Sequence, residues 1–112
     1  EISLEELGID IRRREKTVDF VIYVNGSPKV VVECNFYNVV GSKPIEIASS
    51  YIDLHKLLEE RELGFIWITD GPAWKKMKNP LIQAAKEIDY LLNLRLSEKF
   101  LSEILLDILK IT

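Results

Sequence analysis

The sequence has very little cysteine, histidine or surplus positive charge. Its 112 residues include one cysteine, Cys34, one histidine, His55, and 15 Lys and Arg against 18 Asp and Glu, a formal net charge of −3. A single cysteine excludes a disulfide within the chain and is typical of a reducing compartment. A cysteine nucleophile lacks a plausible base, because His55 falls on another predicted element. A lone cysteine more often packs as a small hydrophobic residue.

The negative net charge bears on nucleic-acid binding. It argues against broad affinity for nucleic acid, which depends on neutralisation of phosphates by Lys and Arg. It does not exclude a nuclease, because acids grouped around a metal site lower the net charge while basic residues remain local.

Long apolar runs and a leader segment are also missing. No run approaches the length that spans a membrane, and no basic segment followed by a cleavage site opens the chain. We therefore expect a cytoplasmic protein with no membrane partner. With 47% apolar and 29% charged residues, 1–112 is predicted to form one globular domain. The chain begins at Glu1 without methionine, and we expect it to be the C-terminal catalytic part of a longer protein.

The stretch Thr17 to Asn38 predicts a β-hairpin. Its two arms, VDFVIYV and KVVVECNF, are rich in β-branched and aromatic residues, and Asn25-Gly26 between them is a strong turn signal. Asp19 opens the first arm and Glu33 lies near the end of the second. Side chains alternate along a strand, so a two-residue loop would put the two acids on opposite faces. We expect a three-residue loop, Asn25-Gly26-Ser27 with a bulge, which makes Asp19 oppose Glu33.

A pair of carboxylates at one end of a sheet predicts a divalent-metal site. Mg²⁺ takes oxygen ligands and typically uses one or two carboxylates together with waters and substrate phosphate. Acids at strand ends are also often solvated edge residues. Three consecutive valines precede Glu33, however, and a carboxylate emerging from a buried strand needs a partner.

These residues carry a family resemblance. Asp19 followed by Glu33-Cys34-Asn35 resembles the D…(D/E)xK signature of restriction-endonuclease-like nucleases, with Asn35 where lysine usually stands. The runs VDFVIYVNGSPKVVVECNFYNVVGSKPIEIASSYIDL and FIWITDGPAW closely resemble the catalytic region of the DpnII/MboI group of type II restriction endonucleases. The similarity covers about Thr17 to Leu94. The family's enzymes are more than twice as long as this chain.

The resemblance implies a Mg²⁺-dependent endonuclease that cuts double-stranded DNA at GATC sites, with Mn²⁺ as a substitute ion. Asp19, Glu33 and the Cys34 backbone carbonyl would hold the metal, and Asn35 would orient the attacking water. Asn35 cannot supply the positive charge of the usual lysine. Lys43, at the start of the next predicted helix, is expected to replace it.

Two basic segments are candidate DNA contacts. The run IRRREK contains Arg13 and Lys16, and either contacts phosphate or forms a solvated edge strand. In the segment AWKKMKN, Trp74 interleaves with Lys75, Lys76 and Lys78. It either contacts DNA or forms a basic turn with Trp74 packed inward.

The remaining patterns complete an α/β fold. We expect helices from Pro44 to about Glu62, from Pro80 to about Leu92 with Ala85 in its apolar stripe, and from Ser97 as N-cap onward. FIWIT is a buried central strand, and 9–14 supplies another. Glu1 to Gly8 suggests a helix end with Ser3 as N-cap. The result is a restriction-endonuclease-like core, a small mixed sheet of about four strands with helices on both faces.

The function predicted is that of a type II restriction endonuclease core, a homodimer in the intact enzyme. One alternative is a non-catalytic DNA-binding or structural remnant of the nuclease fold, which lost its chemistry at Asn35. A nuclease for branched DNA is another.

Overall fold

The computed structural model describes residues 2–3, 7, 17–38, 44–76 and 78–110. The predicted strand at 9–14 and the candidate residues Arg13, Lys16 and Lys43 lie outside these residues. The predicted helix end at Glu1 to Gly8 lies partly outside them. At residues 2 and 3 that prediction is wrong, because Ile2–Ser3 forms a short strand, β1, that pairs with β2, Thr17–Val18.

A four-stranded mixed sheet organises the described chain, in the order β3, β4, β5, β6. The strands are β3, Phe20–Val24, β4, Ser27–Phe36, β5, Gly64–Asp70, and β6, Leu91–Leu92. The pair β3–β4 is antiparallel, and β4–β5 and β5–β6 are parallel. The predicted α/β class with a mixed sheet of about four strands is confirmed.

The hairpin turn differs from the expected three-residue loop. Val24 pairs with Ser27, so Asn25 and Gly26 alone form the turn, both at positive φ (53° and 82°). Such a pair of left-handed residues is typical of the two-residue turns that match strand twist. The expected extra residue lies inside β4 instead. Tyr23 pairs with Pro28 but Ile22 pairs with Val30, which leaves Lys29 as a bulge.

Helices cover both faces of the sheet, as predicted. Helix α1, Pro44–Glu60, connects the parallel strands β4 and β5, and α2, Lys78–Glu87, lies beside it. They bury one core with Val31, Phe65 and Trp67 of the sheet. Helix α3, Leu94–Leu109, covers the opposite core, formed by Val30, Val32, Ile66 and Ile68. No helix in the described ranges is long and apolar enough to cross a membrane.

The C-terminal third corrects two expected boundaries. Helix α2 ends at Glu87, and Leu91–Leu92 forms the edge strand β6 instead of continuing the helix. Ala85 is exposed, whereas Ala84 and Ile88 are buried. Ser97 is not an N-cap, because α3 begins three residues earlier. Asn93 caps it, accepting a hydrogen bond from the Leu96 amide through Oδ1 (2.8 Å).

Candidate active site

The bulge at Lys29 sets the register of the hairpin near the two predicted metal ligands. Beyond the bulge, Val21 pairs with Val31 and Phe20 with Val32. The last pair of this register is Phe20 with Val32, and Asp19 precedes Phe20 in the bend between β2 and β3. Continued by one residue, the register would put Asp19 opposite Glu33 on the same face of the sheet, so the alignment of the two acids stays a prediction.

A hydrogen bond ties Asp19 to the second arm of the hairpin. The Cys34 amide donates to Asp19 Oδ2 at 2.9 Å. An extended residue directs its amide and its carbonyl towards the same neighbouring strand. The Cys34 carbonyl is therefore on the Asp19 side of β4, as a shared oxygen site would require.

Glu33 differs from Asp19 in its burial. Glu33 is 4% exposed, and it pairs with Trp67 on the neighbouring strand β5. Because side chains alternate, Glu33 faces α1 together with Val31 and Asn35, while Cys34 faces the α3 side. A carboxylate in such a place is surrounded by protein atoms instead of solvent, and such surroundings favour a fixed ligand geometry.

The two acids affect the pKa of the Cys34 thiol. The Cys34 side chain is exposed, so it does not pack as a buried hydrophobic residue. Partial desolvation raises the pKa of its thiol, and the negative charges of Asp19 and then Glu33 raise it further. Both carboxylates therefore lie within electrostatic reach of one sulfur atom, and they disfavour the thiolate form.

Asn35 is held by two aromatic side chains. Its Nδ2 donates to the Tyr51 hydroxyl at 2.8 Å, and its Oδ1 accepts from Trp67 Nε1 at 3.2 Å. Asn35 is half-buried, on the face of the sheet that α1 covers. The position where lysine usually stands in the related signature thus carries a neutral amide in a fixed orientation.

Trp74 packs inward, one of the two alternatives for the AWKKMKN segment. It is 6% exposed, and its Nε1 donates to Thr69 Oγ1 at 2.7 Å. Its ring makes edge contacts with Tyr37 and Trp67. The inward-packed alternative is thus the one present in the structure, and a contact between Trp74 and DNA stays a prediction. Lys75, Lys76 and Lys78 are exposed, so their assignment as DNA contacts stays a prediction.

Asp70, the last residue of β5, connects this end of the strand to α3. Its Oδ1 accepts from the Gly71 amide (2.8 Å) and its Oδ2 from the Leu94 amide (3.1 Å). A carboxylate at a helix N-terminus stabilises unpaired amides there. The Asp-Gly turn in the sequence shows the loop but does not reveal this contact with a residue 24 positions away.

His55 lies elsewhere in the fold. It is buried against Phe65, and its Nε2 contacts Glu59 Oε1 at 2.7 Å and Asp89 Oδ2 at 4.0 Å. Its Nδ1 has no hydrogen-bond partner within the described part of the chain. His55 is therefore a buried histidine that contacts one acid of its own helix and one acid that follows α2.

The candidate donors at this site are oxygen atoms, the ligand type that a hard cation prefers. Across residues 2–3, 7, 17–38, 44–76 and 78–110, no group of three or more His, Cys, Asp or Glu side chains could hold a metal. Two carboxylates and a carbonyl are a typical protein contribution for Mg²⁺, whose remaining ligands are waters and substrate phosphate. The donor set does not fit a thiolate or imidazole metal.

Comparison with known proteins identifies the family. The family model described as DpnII restriction endonuclease matches residues 2–103. The type II restriction enzyme MboI of Moraxella bovis is 37% identical over 103 residues, which cover 91% of this chain and 35% of the relative. The type II restriction enzyme MjaIII of Methanocaldococcus jannaschii is 32% identical, over 88% of this chain and 36% of the relative.

A further relative is the type II restriction enzyme DpnII of Streptococcus pneumoniae, 38% identical over 84 residues, 70% of this chain and 27% of the relative. No solved structure matches. The chain spans about a third of the length of the curated relatives it matches. With a family model that matches almost its whole length, the chain belongs to the DpnII restriction endonuclease family.

Proposed function

We propose that this chain is the catalytic core of a type II restriction endonuclease, which hydrolyses phosphodiesters of double-stranded DNA at GATC sites with Mg²⁺. The observation that carries the proposal is the hydrogen bond from the Cys34 amide to Asp19, which ties one acid to the residue that follows the buried Glu33. The relatives, all named type II restriction enzymes, support the substrate class.

The ion would be held by Asp19, Glu33 and the Cys34 carbonyl oxygen, with Mn²⁺ able to replace Mg²⁺. It would polarise the scissile phosphate and lower the pKa of a bound water. The chain's own residues hold the geometry. The Cys34 amide occupies Asp19 Oδ2 and fixes the carboxylate at the edge of β4. Glu33 is only 4% exposed, so bulk water has little access to its carboxylate.

Asn35 contributes orientation and no charge. An amide can accept a hydrogen bond from a water or donate one to a phosphate oxygen, but it does not neutralise a phosphate. We therefore assign to Lys43 the positive charge near the scissile phosphate in the DNA-bound state. A single preorganised donor of this kind is worth about 10²–10³ in rate.

The role of Lys43 is tested by single-turnover cleavage in the intact protein with saturating DNA. The Lys43→Ala variant should cleave DNA more slowly than the wild-type protein, by a factor of about 10²–10³. A cleavage rate within about threefold of the wild-type rate, a difference of less than about 1 kcal/mol in the activation free energy, contradicts the role assigned to Lys43. The metal would then be left to carry the charge alone.

Metal binding and cleavage together test the function. In the intact gene product, Asp19→Asn and Glu33→Gln should each abolish the calorimetric Mn²⁺ or Ca²⁺ titration, and lower cleavage by more than about 10³. Asp53→Asn and Glu60→Gln, at exposed positions of α1, are matched controls that should leave both unchanged. Unchanged metal binding in both site variants would refute the proposed centre.

The substrate is tested on plasmids with unmethylated and adenine-methylated GATC sites. Cleavage confined to GATC supports the proposal, and the two plasmids show whether methylation blocks it. Preferred cleavage of branched DNA would instead support the branched-DNA alternative. DNA binding without cleavage at any metal concentration would support the non-catalytic alternative.

A further inference from the structure

The hydrogen bonds around Asn35 involve a residue of α1 to which the sequence pattern gives only a packing role. Tyr51 lies in the core-facing stripe of α1, yet its hydroxyl oxygen accepts the hydrogen bond from Asn35 Nδ2. On the other side of the amide, Trp67 of β5 donates to Oδ1. Asn35 is thus held from a helix and from the neighbouring strand at once.

The aromatic packing makes this arrangement rigid. Tyr51 lies 4.4 Å from Trp67 between ring centroids and 6.3 Å from Phe65. Tyr51 is 9% exposed and Trp67 is fully buried. Two large side chains packed on each other have little freedom to rotate, so their polar atoms are fixed points for the amide.

The chemistry of the two partners sets the orientation of the amide. An indole Nε1 can only donate, so it selects Oδ1 of Asn35. A tyrosine hydroxyl can accept, and it takes Nδ2. The last torsion of asparagine is otherwise broad, and its two ends can exchange by rotation. Neither bond uses the second Nδ2 hydrogen or the second lone pair of Oδ1.

We propose that Tyr51 is a positioning residue of the active site, which holds the Asn35 amide so that its remaining hydrogen-bonding groups face the reacting phosphate and water. This rests on the proposed function. It assigns to an aromatic pair, Tyr51 and Trp67, the task of orienting a neutral amide in place of a lysine. Tyr51 itself acts through Asn35 and needs no contact with DNA.

The test is single-turnover cleavage by the intact protein with saturating DNA. Tyr51→Phe removes the hydroxyl and keeps the stacked ring. It should lower the cleavage rate by about 10- to 100-fold, since misorientation of a reacting group is costly. DNA affinity measured with Ca²⁺ should stay within about twofold, because no group that contacts DNA is removed.

A double-variant comparison separates positioning from mere packing. If Tyr51 acts through Asn35, adding Tyr51→Phe to Asn35→Ala should slow cleavage by less than about threefold more. If the two losses multiply, the positioning role is overturned. Tyr90→Phe is a matched control, because the Tyr90 side chain packs on the opposite face of the sheet from Tyr51 and its hydroxyl donates to Asp107 of α3 (2.8 Å). This variant should cleave at the wild-type rate.

A readout independent of activity is the NMR spectrum of the labelled protein without metal. In Tyr51→Phe, the Asn35 side-chain amide signals should shift and broaden, while the Trp67 indole signal should remain near its original position. Unchanged Asn35 signals would overturn the proposal. If the wild-type protein does not cleave DNA with Mg²⁺, both the proposed function and this role are refuted. An active protein whose Tyr51→Phe variant cleaves normally would overturn only the role of Tyr51.

Discussion

At Gly71 the structure depends on the absence of a side chain. Gly71 has φ of 119°, and a Cβ there would collide with the Tyr37 carbonyl oxygen and lie 2.7 Å from the Tyr37 amide nitrogen. The Tyr37 amide and carbonyl are both engaged, with the Asp70 carbonyl (2.9 Å) and the Ala73 amide (3.1 Å). Gly71 therefore lets Tyr37, which directly follows β4 and lies two residues after Asn35, pack against the end of β5.

Gly71→Ala should lower the free energy of unfolding by roughly 2–4 kcal/mol, because both the backbone conformation and the collision oppose a methyl group. Gly26→Ala is the matched control. Its φ is 82°, but a Cβ would meet nothing within 4 Å, so its cost should be only about 1 kcal/mol. Urea unfolding of both variants measures the difference, and equal losses would show that the contact with Tyr37 is not important.

Among the helices, α3 shows how a nearby polar residue can mislead the interpretation of a sequence. Ser97 before an apolar stripe has the pattern of an N-cap. In the structure Ser97 is 9% exposed within the helix, and its hydroxyl donates to the Leu94 carbonyl (2.8 Å). The Asp70 carboxylate and Asn93 satisfy the first amides instead. The helix start is thus decided partly by a contact with β5 that no local pattern contains.

Asn93→Ala should therefore destabilise the protein by about 1 kcal/mol, the usual cost of a lost N-cap. Ser97→Ala should change stability by less than about 0.5 kcal/mol, because serine inside a helix bonds to a preceding carbonyl with little net gain. Thermal unfolding of the two variants checks the order. A larger loss in Ser97→Ala would restore Ser97 as the cap.

The elements that the sequence predicts well are those with strong local patterns. The hairpin, α1 and the buried strand at Phe65 to Thr69 follow from alternation, from a helical stripe after proline and from a continuous apolar run. The odd residue expected in the hairpin is present, and the alignment of Asp19 with Glu33 that it would produce stays a prediction. The place of the odd residue, Lys29 in β4 instead of the loop, depends on cross-strand packing.

The parts that could not be predicted depend on contacts between distant residues. Leu91–Leu92 is too short for a strand pattern and forms one only beside β5. The bonds from Asn35 to Tyr51 and Trp67 join residues 16 and 32 positions apart. A family resemblance points to Asn35, but only the fold shows what holds it.

For the molecule as a whole, the outer face of α3 retains apolar side chains. Leu105 and Ile108 are half-buried against the core of Val30, Val32, Ile66 and Ile68, as expected for a core-facing stripe. Phe100 and Leu106 are 41% and 50% exposed. A homodimer of the intact enzyme remains a proposal, which the mass of the intact protein in solution would test.

Charge is the other property of the whole molecule that bears on function. With a net charge of −3, this chain has no overall electrostatic attraction to DNA, so an electrostatic contribution to DNA affinity has to come from local cations. Among the described residues, Lys75, Lys76 and Lys78 are three exposed cations close together in sequence, following the end of β5. Trp74, which directly precedes them, is buried, and its indole nitrogen donates a hydrogen bond to Thr69 of β5.

If these three lysines contact phosphates, replacing all three with Gln in the intact protein should weaken DNA binding and reduce the slope of log K against log salt by about 2.7, from about 0.9 per contact. The control replaces Lys56, Lys86 and Lys99, exposed on α1, α2 and α3, and changes net charge by the same amount. Its slope should change by much less, because dispersed charges far from DNA release few counterions. Equal slopes for the two variants would show that Lys75, Lys76 and Lys78 form only a solvated turn. DNA affinity measured with Ca²⁺ at several salt concentrations provides the comparison.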